Sequence, residues 1–207
     1  MRVIVTAGPT REYIDTVRFI SNASSGLMGY SIAAAAIGAG HDVTLLTGKV
    51  SLPIPTGCVA VPFVSVDDLT GELGRRFDAC DVLVMTAAVG DFRVEKPFDR
   101  KLSRKGGPVA LTLIPTNDVL ASVAARKRQG QRIIAFAVEE GTPEQMEAKA
   151  RTELADKHAD LVVVNTPAAM AVNESLAAVL SPTETLLPWA RRPKKELAAE
   201  IVTRLIR

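Results

Sequence analysis

Residues 2–10, RVIVTAGPT, followed by 26–38, GLMGYSIAAAAIG, and 42–46, DVTLL, decide the architecture of this chain. Arg2 to Ala7 is short, β-branched and apolar, and it stops at Gly8-Pro9-Thr10, which reads as a buried strand. Gly26 to Gly38 is rich in Ala and long enough for a helix, with Gly40 as its stop. Asp42 to Leu46 is a second buried strand, closed by Thr47-Gly48. Strands without polar alternation, separated by a helix, imply a parallel sheet covered on both faces.

The same alternation continues outward. Val59 to Val64 reads as a strand and Asp67 to Phe77 as a helix with Leu69, Leu73 and Phe77 on one face; Val82 to Thr86 is the next strand. Ser51 to Gly57, SLPIPTG, is a loop, because two prolines exclude a central strand. Further on, strands are expected at Val109–Leu113, Arg132–Val138 and Leu161–Asn165, with helices at Asp118–Arg128 and Pro143–Lys157. Leu176–Leu180 and Thr185–Leu187 pair as a hairpin around Ser181-Pro182-Thr183. Pro193 to Ile206 closes the chain as a helix, with Leu197, Ile201 and Leu205 sharing a face. The expected fold is therefore α/β: a Rossmann-like, doubly wound, mainly parallel sheet with helices on both faces and a small C-terminal β-hairpin. Between Ala88 and Gly107 the pattern breaks into Pro, Gly and charge, the composition of a functional or disordered loop. No repeat, low-complexity tract or linker divides the chain, so residues 1–207 are expected to form one domain.

Composition narrows the class. Of 207 residues, 47% are hydrophobic, which excludes intrinsic disorder. Lys and Arg number 25 against 23 Asp and Glu, a formal charge of +2, and this argues against a nucleic-acid partner held by bulk electrostatics. Cys58 and Cys80 show no zinc or disulfide spacing and read as small buried hydrophobes. The apolar start is too short for a signal peptide, and no run approaches the roughly 20 apolar residues of a membrane span. A soluble, cytoplasmic protein without a membrane partner is expected. The basic group Arg191, Arg192, Lys194 and Lys195 reads as a solvated turn at a helix start.

In a doubly wound sheet, ligands bind outside the carboxyl ends of the strands. Three segments fall there: Thr6 to Arg11, Arg18 to Gly29, and Ala87 to Asp91. Ser24, Ser25 and Gly26 stand at a helix start, where small residues let backbone N–H groups face a phosphate. The alternative is that Ser24 or Ser25 caps the helix and Gly29 serves helix–sheet packing. Neither GxGxxG nor a Walker A motif is present. Asp91 follows a strand end, within reach of a nucleotide or metal. Lys101, Arg104 and Lys105 form a cationic loop, suited to phosphoryl or nucleotidyl transfer or simply solvated.

These segments, in this order, resemble the phosphopantothenoylcysteine synthetase (phosphopantothenate–cysteine ligase) family. The resemblance rests on TAGPTREYIDTVRFISNASSGLMG, AAVGDFR with a Lys-rich loop, FAVEE, KHADLVVVN and PKKELAAEIVTRL. It implies a ligase of coenzyme A biosynthesis. The carboxylate of 4′-phosphopantothenate would attack CTP (or ATP) with Mg²⁺ present, pyrophosphate would leave, and the acyl-nucleotide would then be captured by cysteine. It further implies that Asn22 holds the acyl group, Arg18 supports it and Lys101 neutralises phosphate charge. Gly8, Ser24, Ser25, Gly26, Ala87, Ala88, Asp91, Asn117, Asp118, Phe136 and Lys157 are implied to contact the nucleotide. No metal ligand can be named. A homodimer is implied, and a flavin decarboxylase, often fused to this domain, is expected as a separate partner at most, since Met1 begins on the synthetase strand; no flavin is expected in this chain. Three residues depart from the family pattern: Leu27 stands where Lys is usual, Ser103 interrupts the Lys-rich loop, and Glu153 replaces a phosphate-binding Lys unless Lys149, one turn away, substitutes. The Asn-Pro-Asp turn expected before the Asp118 helix also reads Thr116-Asn117-Asp118. Two other classes stand beside the ligase: a non-catalytic subunit on the same fold, and an NAD(P)-dependent short-chain reductase. The reductase needs Tyr-x-x-x-Lys, but Tyr13 and Tyr30 are followed four residues on by Val17 and Ala34.

Overall fold

The structure is a computed structural model that describes residues 1–170 and 172–206. Its strands are β1 (Arg2–Ala7), β2 (Arg11–Tyr13), β3 (Phe19–Ser21), β4 (Asp42–Thr47), β5 (Val59–Pro62), β6 (Val82–Met85), β7 (Phe92–Val94), β8 (Leu113–Pro115), β9 (Arg132–Val138), β10 (Leu161–Asn165), β11 (Glu174–Leu180) and β12 (Thr185–Pro193). Its α-helices are α1 (Leu27–Gly38), α2 (Val66–Arg76), α3 (Val119–Ala124), α4 (Pro143–Asp156) and α5 (Lys194–Leu205). Eight strands form one sheet in the order β12-β11-β10-β9-β6-β1-β4-β5. The run from β5 to β10 is parallel, while β11 and β12 are antiparallel to their neighbours.

Strand alternation assigns the two faces. Val3, Val5 and Ala7 of β1 pack with Ile32, Ala33 and Ala36 of α1 and with Leu197, Ile201 and Val202 of α5. Ile4, from the opposite face, joins Leu69 and Leu73 of α2, Val123 of α3 and Ala150 and Leu154 of α4. The chain order reverses beside β1: β4 lies on one flank and β6 on the other. That reversal opens a crevice at the carboxyl ends of β1 and β6.

Several sequence expectations need correction. The strand expected at Val109–Leu113 is instead β8, Leu113–Pro115, paired antiparallel with β7 apart from the main sheet. Three-residue strands carry too few side chains to show periodicity, which is also why β2, β3 and β7 escaped notice. The helix expected to reach Arg128 ends at Ala124, and the strand expected to reach Val64 ends at Pro62. The C-terminal hairpin is longer than expected and forms the edge of the main sheet. Arg191 and Arg192 lie on β12 instead of in a turn, and Lys194, the first residue of α5, is buried. Cys80 is buried, whereas Cys58 is only half-buried, and both are free. No helix among the described residues is long and apolar enough to cross a membrane.

One glycine sets how closely α1 lies on the sheet. A Cβ at Gly29 would meet Ala7 Cβ at 2.6 Å, Thr6 O at 2.9 Å and the Thr86 hydroxyl. Gly29→Ala is expected to destabilise the protein by roughly 1–3 kcal/mol through overpacking. Gly74 in α2 has only an Arg126 side-chain atom nearby, at 3.9 Å, so Gly74→Ala is expected to stabilise by up to about 1 kcal/mol. Urea midpoints of the two variants, shifted in opposite directions, check the pair.

Candidate active site

The floor of the crevice is the turn after β6, and four side chains hold it. The Thr6 hydroxyl donates to Met85 Sδ (3.3 Å) and accepts from the backbone N–H groups of Thr86 (3.1 Å) and Ala87 (3.0 Å). Thr86 Oγ1 donates back to Thr6 O. Ala88 N–H donates to Gly8 O (3.0 Å) and Thr10 N–H to Ala88 O (3.2 Å), so pairing extends past both strands. Gly90 N–H donates to Thr10 Oγ1 (2.9 Å), and Thr116 Oγ1 donates to Gly90 O (2.6 Å). Asn22 completes the set, its Nδ2 donating to Val89 O at 2.9 Å.

Above this floor lies a cavity of about 560 Å³. Asn22, Ala87, Ala88, Asp91, Asn117, Asp118, Phe136 and Lys157 all line it, so eight of the residues singled out in the sequence converge there. Its charged lining is mixed. Lys149 Nζ bonds Glu139 at 2.6 Å, which raises the lysine above its ordinary pKa. Lys157 Nζ lies 3.6 Å from Asp118 and 3.9 Å from Glu153. Asp118 also caps α3, its Oδ1 accepting from Ala121 N–H at 2.9 Å. Lys149 thus lines the cavity one helical turn before Glu153, as a substitute cation for that position would have to.

Ser24, Ser25 and Gly26 line a different, smaller cavity of about 90 Å³. Ala87, Ala88, Phe136 and Val138 border both. Neither serine is the N-cap of α1, which is Gly26 at φ 76°, with no acidic residue in the first turn. The serine hydroxyls nevertheless accept from backbone N–H groups there, Ser24 Oγ from Gly26 (3.3 Å) and Ser25 Oγ from Leu27 (3.4 Å). Gly29 serves packing against the sheet. Gly8 lines neither cavity; it backs Gly26, where a Cβ would stand 3.3 Å from Gly8 N.

Arg18 and Lys101 lie outside both cavities. The buried Asp15 joins their segments. Its carboxylate accepts from the N–H groups of Val17 and Arg18 (both 2.8 Å), from Arg18 Nη1 (2.7 Å) and from Leu102 N–H (3.1 Å). Arg18 Nη2 donates in turn to Leu102 O at 3.0 Å. Burial alone would push the Asp15 pKa up. The N–H groups of Leu102, Arg18 and Val17 and the Arg18 charge outweigh it and hold the carboxyl at about 2. The segment around Lys101 is thus tied at Leu102 to the turn between β2 and β3, while Lys101 itself is exposed.

Sequence reasoning did not single out Asp15, Thr6, Glu139, Asn165 or Lys194 as site residues. The signal for Asp15 was its spacing, a carboxylate three residues before Arg18. Lys194 was hidden inside a basic run.

An α/β protein with its crevice at the switch point and a mixed-charge cavity belongs to the doubly wound folds, which bind ligands at that place. The chain matches the family described as DNA/pantothenate metabolism flavoprotein C-terminal domain over residues 1–207, and it belongs to that family. It is 41% identical over 164 residues to the coenzyme A biosynthesis bifunctional protein CoaBC of Bacillus subtilis (strain 168), covering 79% of this chain and 39% of that protein. It is 33% identical over 210 residues to a cysteine/cysteine sulfinic acid decarboxylase from an unknown prokaryotic organism, covering 99% of this chain and 58% of that protein. The chain thus spans between about two fifths and three fifths of these relatives. Among solved structures, the C-terminal domain of a CoaBC protein superposes with a TM-score of 0.81 at 32% identity, covering 99% of this chain and 93% of that one.

The Asp15 contacts set a pH dependence. A carboxyl depressed from 3.8 to about 2 contributes order that is complete above about pH 4 and lost as pH falls through 2. Amide exchange at Leu102 should stay protected down to about pH 3 and lose protection toward pH 2. In Asp15→Asn that protection should already be weakened at neutral pH.

Proposed function

We propose that this chain is a phosphopantothenate–cysteine ligase acting in coenzyme A biosynthesis, and that residues 1–207 form its single catalytic domain. One observation carries the reading: Asn22, Ala87, Ala88, Asp91 and Lys157 converge on one cavity at the switch point. Family membership and the identity to CoaBC proteins support it.

A carboxylate is a poor acyl donor, so the reaction needs activation before amide formation. The cavity of about 560 Å³ has room for a nucleotide. There Phe136 would meet the base, and Ala87, Ala88, Asp91, Asn117 and Asp118 would meet the sugar and phosphates. Lys149 and Lys157 would supply the cations, each freed from a carboxylate partner as phosphate arrives. Asn22 spends one amide proton on Val89 O, which fixes its plane, and keeps a second donor for the acyl oxygen. The amide attracts a carboxylate without repelling it. Lys101, on the segment held through Asp15, would close toward the transferring phosphate.

Magnesium fits this donor set as a companion of the nucleotide. Among the described residues no group of three or more His, Cys, Asp or Glu side chains is arranged to hold a metal ion. Mg²⁺ commonly needs only one or two carboxylates beside substrate phosphates, and Asp91 and Asp118 would be those carboxylates here. When bound, the ion neutralises phosphate charge.

Self-association is part of the proposal. Tyr13, Val17, Phe19, Phe92, Phe98 and Leu113 are exposed apolar side chains on and around the two small antiparallel pairs, β2–β3 and β7–β8. Such a patch outside the main core suits a second copy of the chain. Sedimentation at working concentration should report a dimer.

Pyrophosphate release, measured with phosphopantothenate, Mg²⁺ and either CTP or ATP, tests the reaction; absence of release with both nucleotides would refute it. Adding cysteine should release CMP or AMP. Asn22→Asp should remain folded and lose about 10²- to 10³-fold in kcat/KM, because the new carboxylate repels the substrate carboxylate and can no longer donate to Val89 O. Lys101→Ala should slow acyl-nucleotide formation itself by roughly 10²-fold, seen in single-turnover experiments without cysteine.

A further inference from the structure

Four carboxylates line the larger cavity, Asp91, Asp118, Glu139 and Glu153, against two ammonium groups, Lys149 and Lys157. A pocket that held polyphosphate through cations alone would carry the opposite excess. Both lysines already have carboxylate neighbours. Lys149 Nζ stands 2.6 Å from Glu139, which is only 5% exposed, so this ammonium is the counter-charge of a carboxylate buried in the wall. Lys157 Nζ lies 3.6 Å from Asp118 and 3.9 Å from Glu153, longer than hydrogen bonds and easily re-aimed.

Glu153 is the member that local structure does not explain. Lys149, Glu153 and Lys157 follow at four-residue spacing along α4 and its C-cap, which brings them to one face, and all three line the cavity. Glu153 stands in the last turn of α4, where the helix end is already negative and no basic residue is present. Its charge opposes the helix dipole and reaches both lysines: it pairs loosely with Lys157 and helps to raise the pKa of Lys149.

An incoming phosphate must take an ammonium from a carboxylate and then lie beside that carboxylate. A triphosphate can reach both lysines, and the magnesium it carries offsets the crowded negative charge. A monophosphate has one anionic group and no β- and γ-oxygens for a metal to bridge, so it meets the repulsion uncompensated. We propose that Glu139 and Glu153 are specificity-determining residues that make this cavity a charge filter, holding a metal-loaded nucleoside triphosphate and expelling the nucleoside monophosphate left at the end of the reaction. The assignment rests on the nucleotide occupying this cavity, as in the ligase reading, but not on the acyl chemistry. It gives the charge reversal at Glu153 a role, a weaker grip on product.

Two variants test it. Glu153→Gln removes the charge and keeps the shape; Glu139→Gln does the same in the wall and leaves an amide oxygen to accept from Lys149. Calorimetry with CTP and CMP, and with ATP and AMP, each with and without Mg²⁺, reads the effect without turnover. Wild type should hold the triphosphate with Mg²⁺ more tightly than the bare triphosphate or the monophosphate. Glu153→Gln should bind the monophosphate and the bare triphosphate roughly 5- to 20-fold more tightly, while affinity for the magnesium triphosphate changes by less than about 3-fold. Glu139→Gln should shift the same way. Glu153 is partly exposed, so its variant decides the matter even where Glu139→Gln does not fold, and unliganded Glu153→Gln should melt no lower than wild type. In turnover, the inhibition constant of CMP or AMP should fall by the same factor. If pyrophosphate release fails in wild type but this binding pattern holds, the ligase reading falls and the charge filter stands. Monophosphate affinity unchanged in Glu153→Gln, or a gain spread equally over all nucleotide forms, would overturn the proposal. So would a loss of affinity for the magnesium triphosphate, which would make Glu153 a metal ligand instead.

Discussion

The Thr6 hydroxyl is a small group on which much else depends. It is fully buried at the end of β1 and serves as one donor and two acceptors, to the sulfur of Met85 and the N–H groups of Thr86 and Ala87. A buried polar group must find partners or cost free energy, and these partners are the last residue of β6 and the turn that follows it. The chain therefore closes the crevice between its two central strands with its own backbone. Thr10, Asn22 and Thr116 repeat the device further along the turn, one hydrogen bond each. What results is a floor, held by hydrogen bonds, on which Ala87, Ala88 and Asp91 are presented.

From that floor the charges are distributed by role. The larger cavity mixes lysines with carboxylates, so its cations are held in place before any ligand arrives and are exchangeable when one does. Beside the smaller cavity Lys194 is buried and donates to Ala169 O, with no acidic partner among the described residues. The third group, Arg18 and the segment around Lys101, is tied through Asp15 outside either cavity.

The long elements were legible in sequence because each repeats its signal. β1, β9 and β10 match their expected limits, and α1 differs by a single residue, since apolar periodicity accumulates over five or more positions. Eight of the residues lining the larger cavity were legible too: Asn22, Ala87, Ala88 and Asp91 fall in segments placed at the carboxyl ends of strands, whereas Asn117, Asp118, Phe136 and Lys157 were named only through the family resemblance. β2, β3, β7 and β8 were not legible: each spans three residues and is defined by its partner strand.

By itself, then, the sequence determined the apolar strands, the helices between them, the position of the crevice and the charge reversal at Glu153. Only the tertiary structure decided that Gly26 and not a serine is the N-cap of α1, that Lys149 meets Glu139, and that Asp15 binds Leu102 across 87 positions of chain. It also separated Lys194 from the basic run and buried it beside α1. The physical reason is the same throughout. Hydrophobic periodicity is local and additive along the chain, whereas a hydrogen bond or a counter-charge depends on which side chain from a distant segment arrives within about 3 Å.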